Sequence, residues 1–382
     1  MKPHIAFVHD ISGARASGCQ LLWANAACHL SETQAAHVGV CCAPGAAMDM
    51  FEFRRLQDLG VPIHVPKSPK GGLARRLLRF TGIWHENTAE EQTFAWLDRF
   101  QPDLVVICQS AFIGVDYWGE PCLRRKWPYV SISQCAAEHI WPPDDQIRQL
   151  REGFQHAKRN YFVSQRNREW VETVLAESLA NARVICNPFR VNYDAPFAWP
   201  AEEGIWRVGC VARLYPPAKG QDLILHMLAL EKWKARPLSV TFAGSGSHAK
   251  SLKKLAARLG ISQVTFAGQI EDIDQFWARH HMLLSGSRYE GMPMVVLEAL
   301  LCGRPCVLTD VAGHAEHILE GKNGFLAAAP TVALLDSAME KAWQERHRWR
   351  GMGSLAYQRS RSMIPKNPGS VLAEDLLNVA TF

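Results

Sequence analysis

Arg213 and Lys219 lie in GCVARLYPPAKGQDL (209–223), one just past a run of strand character and one just before a run of helical character. Two cations on one strand-to-helix loop suit a diphosphate, whose charge must be neutralised as a bond to it breaks. Glu290 and Glu298 lie eight positions apart in SRYEGMPMVVLEAL (287–300), with only uncharged, mostly apolar residues between them. A carboxylate buried among such neighbours is costly unless something satisfies it. Vicinal hydroxyls, as in a ribose or a hexose, would do so.

The elements that must position these groups are legible around them. HMLLSG (281–286) reads as a strand, SRYEG as a turn, and MPMVVLEALLCG as a helix, with Pro293 suited to its first turn and Cys302-Gly303 ending it. Glu290 then sits on the loop before the helix and Glu298 more than a turn inside it. The amides of Gly291, Met292 and Met294 are expected free at the helix start, forming an anion site assisted by the helix dipole. Upstream, GSGSHA (244–249) follows the strand LSVTFAG and matches G-x-G-x-x-A. A dinucleotide site would want an acid at the tip of the next strand, where Phe266-Ala267-Gly268-Gln269 stands instead. Gly244 and Gly246 are therefore read as a tight turn near a ligand.

Composition frames the rest. With 48% apolar and 21% charged residues and a net charge of +5, the chain is a globular protein without the concentrated basic stripe of a nucleic-acid binder. Its eleven cysteines are scattered and form no CxxC pair, which argues against a zinc or thioredoxin-like site and for a reducing compartment. The first residues, MKPHIAFVHD, read as a strand rather than a signal peptide, and no apolar run approaches the ~18 residues of a membrane span. A cytoplasmic protein is expected. KSPKGGLARRLLRF (67–80) interleaves five cations with Leu73, Leu77, Leu78 and Phe80, the pattern of either a solvated helix face or a peripheral membrane contact at the inner face.

Seven strand-like runs in the first half, among them HIAFVH (4–9), DLVVIC (103–108) and YVSIS (129–133), alternate with amphipathic helical stretches. Six more follow, from WRVGCVAR (206–213) to GFLAA (324–328). Near-continuous apolar strands separated by helices predict parallel sheets covered on both faces. The expected organisation is a first Rossmann-like domain over 1–188, a linker over 189–204, a second Rossmann-like domain over 205–350, and helices over 351–382 packing back toward the first domain. Two doubly wound α/β domains would face a central cleft, with ligands at the C-terminal strand edges.

The run EDIDQFWARHHMLLSGSRYEGMPMVVLEALLCGRPCVLTDVAGHAEHILEGKNGFL (271–326) resembles the signature region of retaining family-4 glycosyltransferases of GT-B fold. Arg213 and Lys219 match that family's basic pair, and FAGSG and FAG match its next two strand ends. The resemblance implies that Glu290 faces the donor sugar, that Glu298 holds the nucleotide's ribose, and that Arg213 and Lys219 stabilise the leaving diphosphate. It implies a retaining, metal-independent transfer from a nucleotide-diphosphate sugar to a glycan, lipid-linked or small-molecule acceptor, with no cofactor. Base recognition would fall to backbone groups at Gly268, Gln269 and Ile270. Glu138 and His139, in SISQCAAEHIWPPDD (131–145), are candidates for the donor sugar or acceptor, or ordinary polar loop residues. Ala312-Gly313 replaces the usual paired glycine, and Ala315 the usual proline before Glu316. Single glycines, Gly13 and Gly18, stand where the first domain usually has a double glycine for phosphate contact. A nucleotide-sugar 2-epimerase and a non-catalytic nucleotide-sugar-binding subunit are the alternatives on the same fold.

Overall fold

A computed structural model describes residues 2–9, 20–42, 50–66, 89–201 and 203–381. The first sheet contains β1 (His4–His9), β2 (His37–Cys41), β3 (Ile63–His64), β4 (Leu104–Gln109), β5 (Tyr129–Ser133), β6 (Arg159–Phe162) and β7 (Ala182–Val184). The second contains β8 (Trp206–Val211), β9 (Leu238–Ala243), β10 (Val264–Gly268), β11 (Met282–Ser285), β12 (Cys306–Thr309) and β13 (Gly324–Ala327). All thirteen expected strands form, and their ends shift by a residue or two, most at β3. There VPIHV contributes only Ile63 and His64 to the sheet.

The strand orders are β3-β2-β1-β4-β5-β6-β7 and β10-β9-β8-β11-β12-β13, and every neighbouring pair is parallel. Each sheet therefore reverses its winding direction once, between β1 and β4 and between β8 and β11. Helices leave such a pair of strands toward opposite faces, which opens a crevice at their C-terminal ends. β1 and β4 explain why the sheets form: Ile5, Phe7, Leu104 and Val106 on one face, and Ala6, Val8, Val105 and Ile107 on the other, are sealed from solvent.

One apolar cluster crosses between the domains, joining Val163 and Ile185 to Met292, Val296 and Leu297, and reaching Leu372 and Leu376 of the last helix. The helix Trp349–Met363 packs on the helix Met294–Leu301, and the helix Pro368–Thr381 packs on the first domain's helix Leu21–Glu32. Its Asp375, nearly buried, accepts hydrogen bonds from Arg159 at 2.6 Å, from the Tyr161 hydroxyl at 2.6 Å, and from Arg183. Burial alone would push the Asp375 carboxyl up, yet these partners hold it below the ordinary aspartate value of 3.8. Asp375→Asn is expected to cost about 1–3 kcal/mol, seen as a lower denaturation midpoint, because the buried Tyr161 hydroxyl and two half-exposed guanidinium groups lose a charged acceptor. The deficit should hold at neutral pH and close only as acid protonates the wild-type carboxylate below that ordinary value.

Candidate functional site

The two strands at the second sheet's reversal carry the two motifs. Arg213 and Lys219 follow β8, and Glu290 follows β11, so sheet order alone brings the basic loop beside the acidic one. Hydrogen bonds then fix their contact. The Arg288 N–H donates to Ala218 O at 2.7 Å, and the Arg288 guanidinium grips Pro216 O and both oxygens of Asp222. Lys219, closing the single turn Pro216–Lys219, places its Nζ 2.5 Å from Glu290 Oε1.

Glu290 is almost fully buried. Its Oε1 also accepts from Ser287 Oγ at 2.8 Å, while Ser287 O accepts from Thr309 Oγ1 at 2.6 Å. Beneath them His314 is sealed from solvent, with Nδ1 2.6 Å from Thr309 O. A carbonyl can only accept, so Nδ1 carries the proton. Burial pushes the Glu290 carboxyl up, but Lys219, His314 and Ser287 outweigh it and hold the group below the ordinary glutamate value. Glu290 is thus an anion at neutral pH, paired with a cation at the mouth of the crevice.

Arg213 is exposed, lies over the Tyr215 ring at 5.1 Å, and pairs with no carboxylate among the described residues. The Leu214 N–H donates to Ser245 O at 2.9 Å, tying its loop to the glycine turn. At that approach a Cβ on Gly244 would stand 2.1 Å from Ala212 O, and one on Gly246 would stand 2.4 Å from Leu214 O. The glycines serve a tight turn beside the basic loop, as the spacing predicts. Next to it, Gly268 O accepts from the Gly244 N–H and Gln269 accepts from Ser245 Oγ, while Ile270 packs into the core.

Glu298 lies inside the helix Met294–Leu301 at 5% exposure. Its Oε1 is not left wholly for a ligand: the linker's Arg190 N–H donates to it at 3.1 Å. Burial, only partly opposed by Arg190 and reinforced by Asp274, pushes the Glu298 carboxyl up to about 7. Pro293 is the cap of this helix, in extended conformation, rather than part of its first turn. The N–H groups of Gly291, Met292 and Met294 meet no protein acceptor among the described residues, as an anion site requires. Gly291 is pressed against the first domain, where a Cβ would fall 1.8 Å from Gln134 O.

On the first-domain side, His139 stands edge-on to Tyr289 with ring centroids 4.7 Å apart, and Glu138 lies 3.4 Å from Arg166. Both share with Glu290 a cavity of about 190 Å³. Gly13, Gly18 and the segment 67–80 lie outside the described residues. Sequence reading missed Ser287, which bonds Glu290, Thr309 and His314, which back it, Arg288, which holds the basic loop beside it, and Arg190, which holds Glu298. Ser287 and Arg288, three and two residues before Glu290, were the local signals; the others arrive from separate strands, loops or the linker. Among the described residues no group of three His, Cys, Asp or Glu side chains could hold a metal, and no helix is long and apolar enough to cross a membrane.

Residues 206–345 match the family model described as Glycosyl transferases group 1. The second domain belongs to this family. Over 136 residues the chain is 32% identical to the putative glycosyltransferase EpsD of Bacillus subtilis, a match covering 35% of this chain and 36% of that one. Over 116 residues it is 31% identical to the Vi polysaccharide biosynthesis protein VipC/TviE of Salmonella typhi, covering 30% of this chain and 20% of that one. These matches thus span little more than a third of the relatives' own length, or less. Across both domains the fold is GT-B. It superposes on Anabaena HepE, solved in complex with UDP, with a TM-score of 0.74 at 18% identity over 98% of this chain and 99% of that one. A glycosyltransferase from Rickettsia africae gives a TM-score of 0.73 at 13% identity, over 100% and 99% of the two chains.

Proposed function

We propose that the chain is a retaining, metal-independent glycosyltransferase that moves a sugar from a nucleotide-diphosphate sugar to an acceptor in the interdomain cleft. The observation that carries this reading is the pair of half-buried Lys219 with buried Glu290, beside Arg213, which meets no carboxylate among the described residues, in a domain that matches the group 1 glycosyltransferase model. Arg213 and Lys219 would take the diphosphate with the amides of Gly291, Met292 and Met294, an arrangement that stabilises charge as the sugar–phosphate bond breaks. Glu290 would receive hydroxyls of the donor sugar, Glu298 those of the ribose, and backbone at Gly268, Gln269 and Ile270 the base. His139 and Glu138 would border the transferred sugar. The cytoplasmic placement expected from the sequence is part of this proposal.

A thermal-shift panel of nucleoside diphosphates and nucleotide sugars tests it first. At least one pair should raise the unfolding midpoint, and hydrolysis or transfer should follow when an acceptor is supplied. A protein that binds no nucleoside diphosphate would refute the reading. Release of an isomerised donor without an acceptor would point to an epimerase.

Glu298 adds a pH dependence. Ribose hydroxyls donate to a carboxylate, so binding should favour the ionised form of a group pushed up to about 7 in the free protein. Between one pH unit below that value and one above it, nucleotide affinity should rise about tenfold by proton linkage. Glu298→Gln should remove the rise, leaving only the slope of the nucleotide's own phosphate titration. Titration calorimetry of both proteins against pH checks this, and parallel slopes would exclude the ribose role.

A further inference from the structure

The main-chain carbonyls of Glu290, Gly291 and Met292 lead into the helix Met294–Leu301, and each is taken by a donor from a different segment. Glu290 O accepts from Cys135 Sγ at 3.4 Å, Gly291 O from the Gly313 N–H at 3.0 Å, and Met292 O from Asn187 Nδ2 at 2.9 Å. Pro293 O, next in line, accepts from the Val296 N–H at 3.0 Å within the helix. The peptide bonds here are trans, so each C=O and the N–H that follows it point opposite ways. A carbonyl tied to a donor therefore aims its amide away from that donor. The Cys135 contact sets the Gly291 N–H, the Gly313 contact the Met292 N–H, and the Val296 contact the Met294 N–H. These are the three amides that meet no protein acceptor among the described residues. Every carbonyl of the loop is spent and every amide is kept for a ligand.

Asn187 acts on the helix rather than on one amide. The carbonyl it holds leads to Pro293, which has no N–H, so its bond fixes the peptide plane from which the helix starts. Asn187 is 4% exposed, and its Oδ1 has no partner among the described residues. A buried amide with half its groups unmet is destabilising, so the use of the residue lies in the one bond it makes. The Gly313 contact is also held at a cost. Ala312 before it takes φ +44°, left-handed backbone that disfavours a residue with a Cβ. A Cβ on Gly313 itself would fall 2.3 Å from Met292 Cε and 2.8 Å from Ser164 Cβ. Strained backbone of this kind persists where the surroundings over-determine it, and it clusters at ligand sites.

The donors do not all belong to the domain that carries the loop. Cys135 follows β5 and Asn187 follows β7, both in the first sheet, whereas the loop joins β11 to its helix in the second. We propose that the first domain completes the second domain's diphosphate cradle, with Asn187 as the positioning residue that fixes the helix start and Cys135 as the donor that aims the first amide. The inference rests on the transferase reading above and deepens it. The phosphates would meet amides of one domain whose directions are set by side chains of the other.

The test uses the full chain. Wild type and variants are titrated calorimetrically with inorganic pyrophosphate, with UDP, GDP and ADP, and with the three parent nucleosides. In Asn187→Ala, pyrophosphate and the diphosphate that wild type prefers should bind about tenfold more weakly, because the cradle is no longer pre-organised. The parent nucleoside should bind within about twofold of wild type, since it makes no use of the cradle. A residue needed only for packing would lower the unfolding midpoint without singling out the phosphates. Cys135→Ala should weaken pyrophosphate about threefold, in keeping with the weak donor it removes. Cys135 is only half-buried, so its variant keeps the test decisive if Asn187→Ala fails to fold. Unchanged pyrophosphate affinity in either variant, or an equal loss for nucleoside and diphosphate, would overturn the proposal. A wild type that binds neither pyrophosphate nor any nucleoside diphosphate fails the transferase reading itself. One that binds them, with variants that bind equally well, loses only the positioning assignment.

Discussion

Replacing Lys219 by alanine should lower sugar transfer by about 10²–10³-fold, the usual cost of removing one preorganised charge from a transition state. The loss should fall on kcat more than on nucleotide binding, because Arg213 and the helix-start amides remain to hold the diphosphate while only Lys219 is locked to Glu290. A second consequence is specific to the pair. Without its cation, Glu290 keeps the burial that pushes its carboxyl up and loses the largest influence holding it down. Its folded-state value should rise above the ordinary 4.5, so the variant should lose stability relative to wild type as pH climbs through and beyond that value. Thermal unfolding of both proteins between acid and neutral pH reads this directly. Glu290→Gln in the same background should restore much of the neutral-pH stability without restoring transfer. If Lys219→Ala keeps near-normal turnover with its true substrates, the pair is not the reacting centre.

Gly220 should be nearly as intolerant, for a different reason. It follows Lys219 with φ at +60°, and a Cβ there would lie 1.8 Å from Gly286 O on the neighbouring strand's exit. The contact is backbone on backbone, so no side chain can swing aside. Gly220→Ala should therefore cost about 3 kcal/mol, the upper range for overpacking, beyond about 1–2 kcal/mol for placing alanine in left-handed backbone. It should also pull Lys219 away from Glu290, since both depend on the same loop contact. Gly260 is the matched control: its φ is +65°, yet nothing lies within 4 Å of its Cβ position. Gly260→Ala should show the conformational cost alone. Equal losses in the two variants, by denaturant unfolding, would mean the close approach at Gly286 does not matter.

Much of this protein is legible in its sequence because the responsible physics is local. The strands β1 and β4 are near-continuous apolar runs, and burial on both faces requires little else of them. The loop before the helix Met294–Leu301 is set by SRYEG and Pro293, though the proline caps the helix instead of opening its first turn. Gly244 and Gly246 announce a tight turn by lacking side chains. The four charged residues stand out because acids and cations at strand ends, in otherwise apolar surroundings, need partners.

Which partners they find depends on contacts between distant segments. Nothing near Lys219 in the chain says that its ammonium rests on Glu290, 71 positions away; the adjacency of β8 and β11 decides that. Ser287 and His314 shape the same carboxylate only once Thr309, at the end of β12, bonds to one and is bonded by the other. Glu298 is held by the backbone of Arg190, and a backbone N–H carries no mark of its partner in the sequence. The sequence by itself determined the elements and the charges they carry, because periodicity and side-chain type act over a few residues. Tertiary structure alone decided which charges are spent on each other and which polar groups are left for a ligand, because burial and pairing are properties of the packed whole.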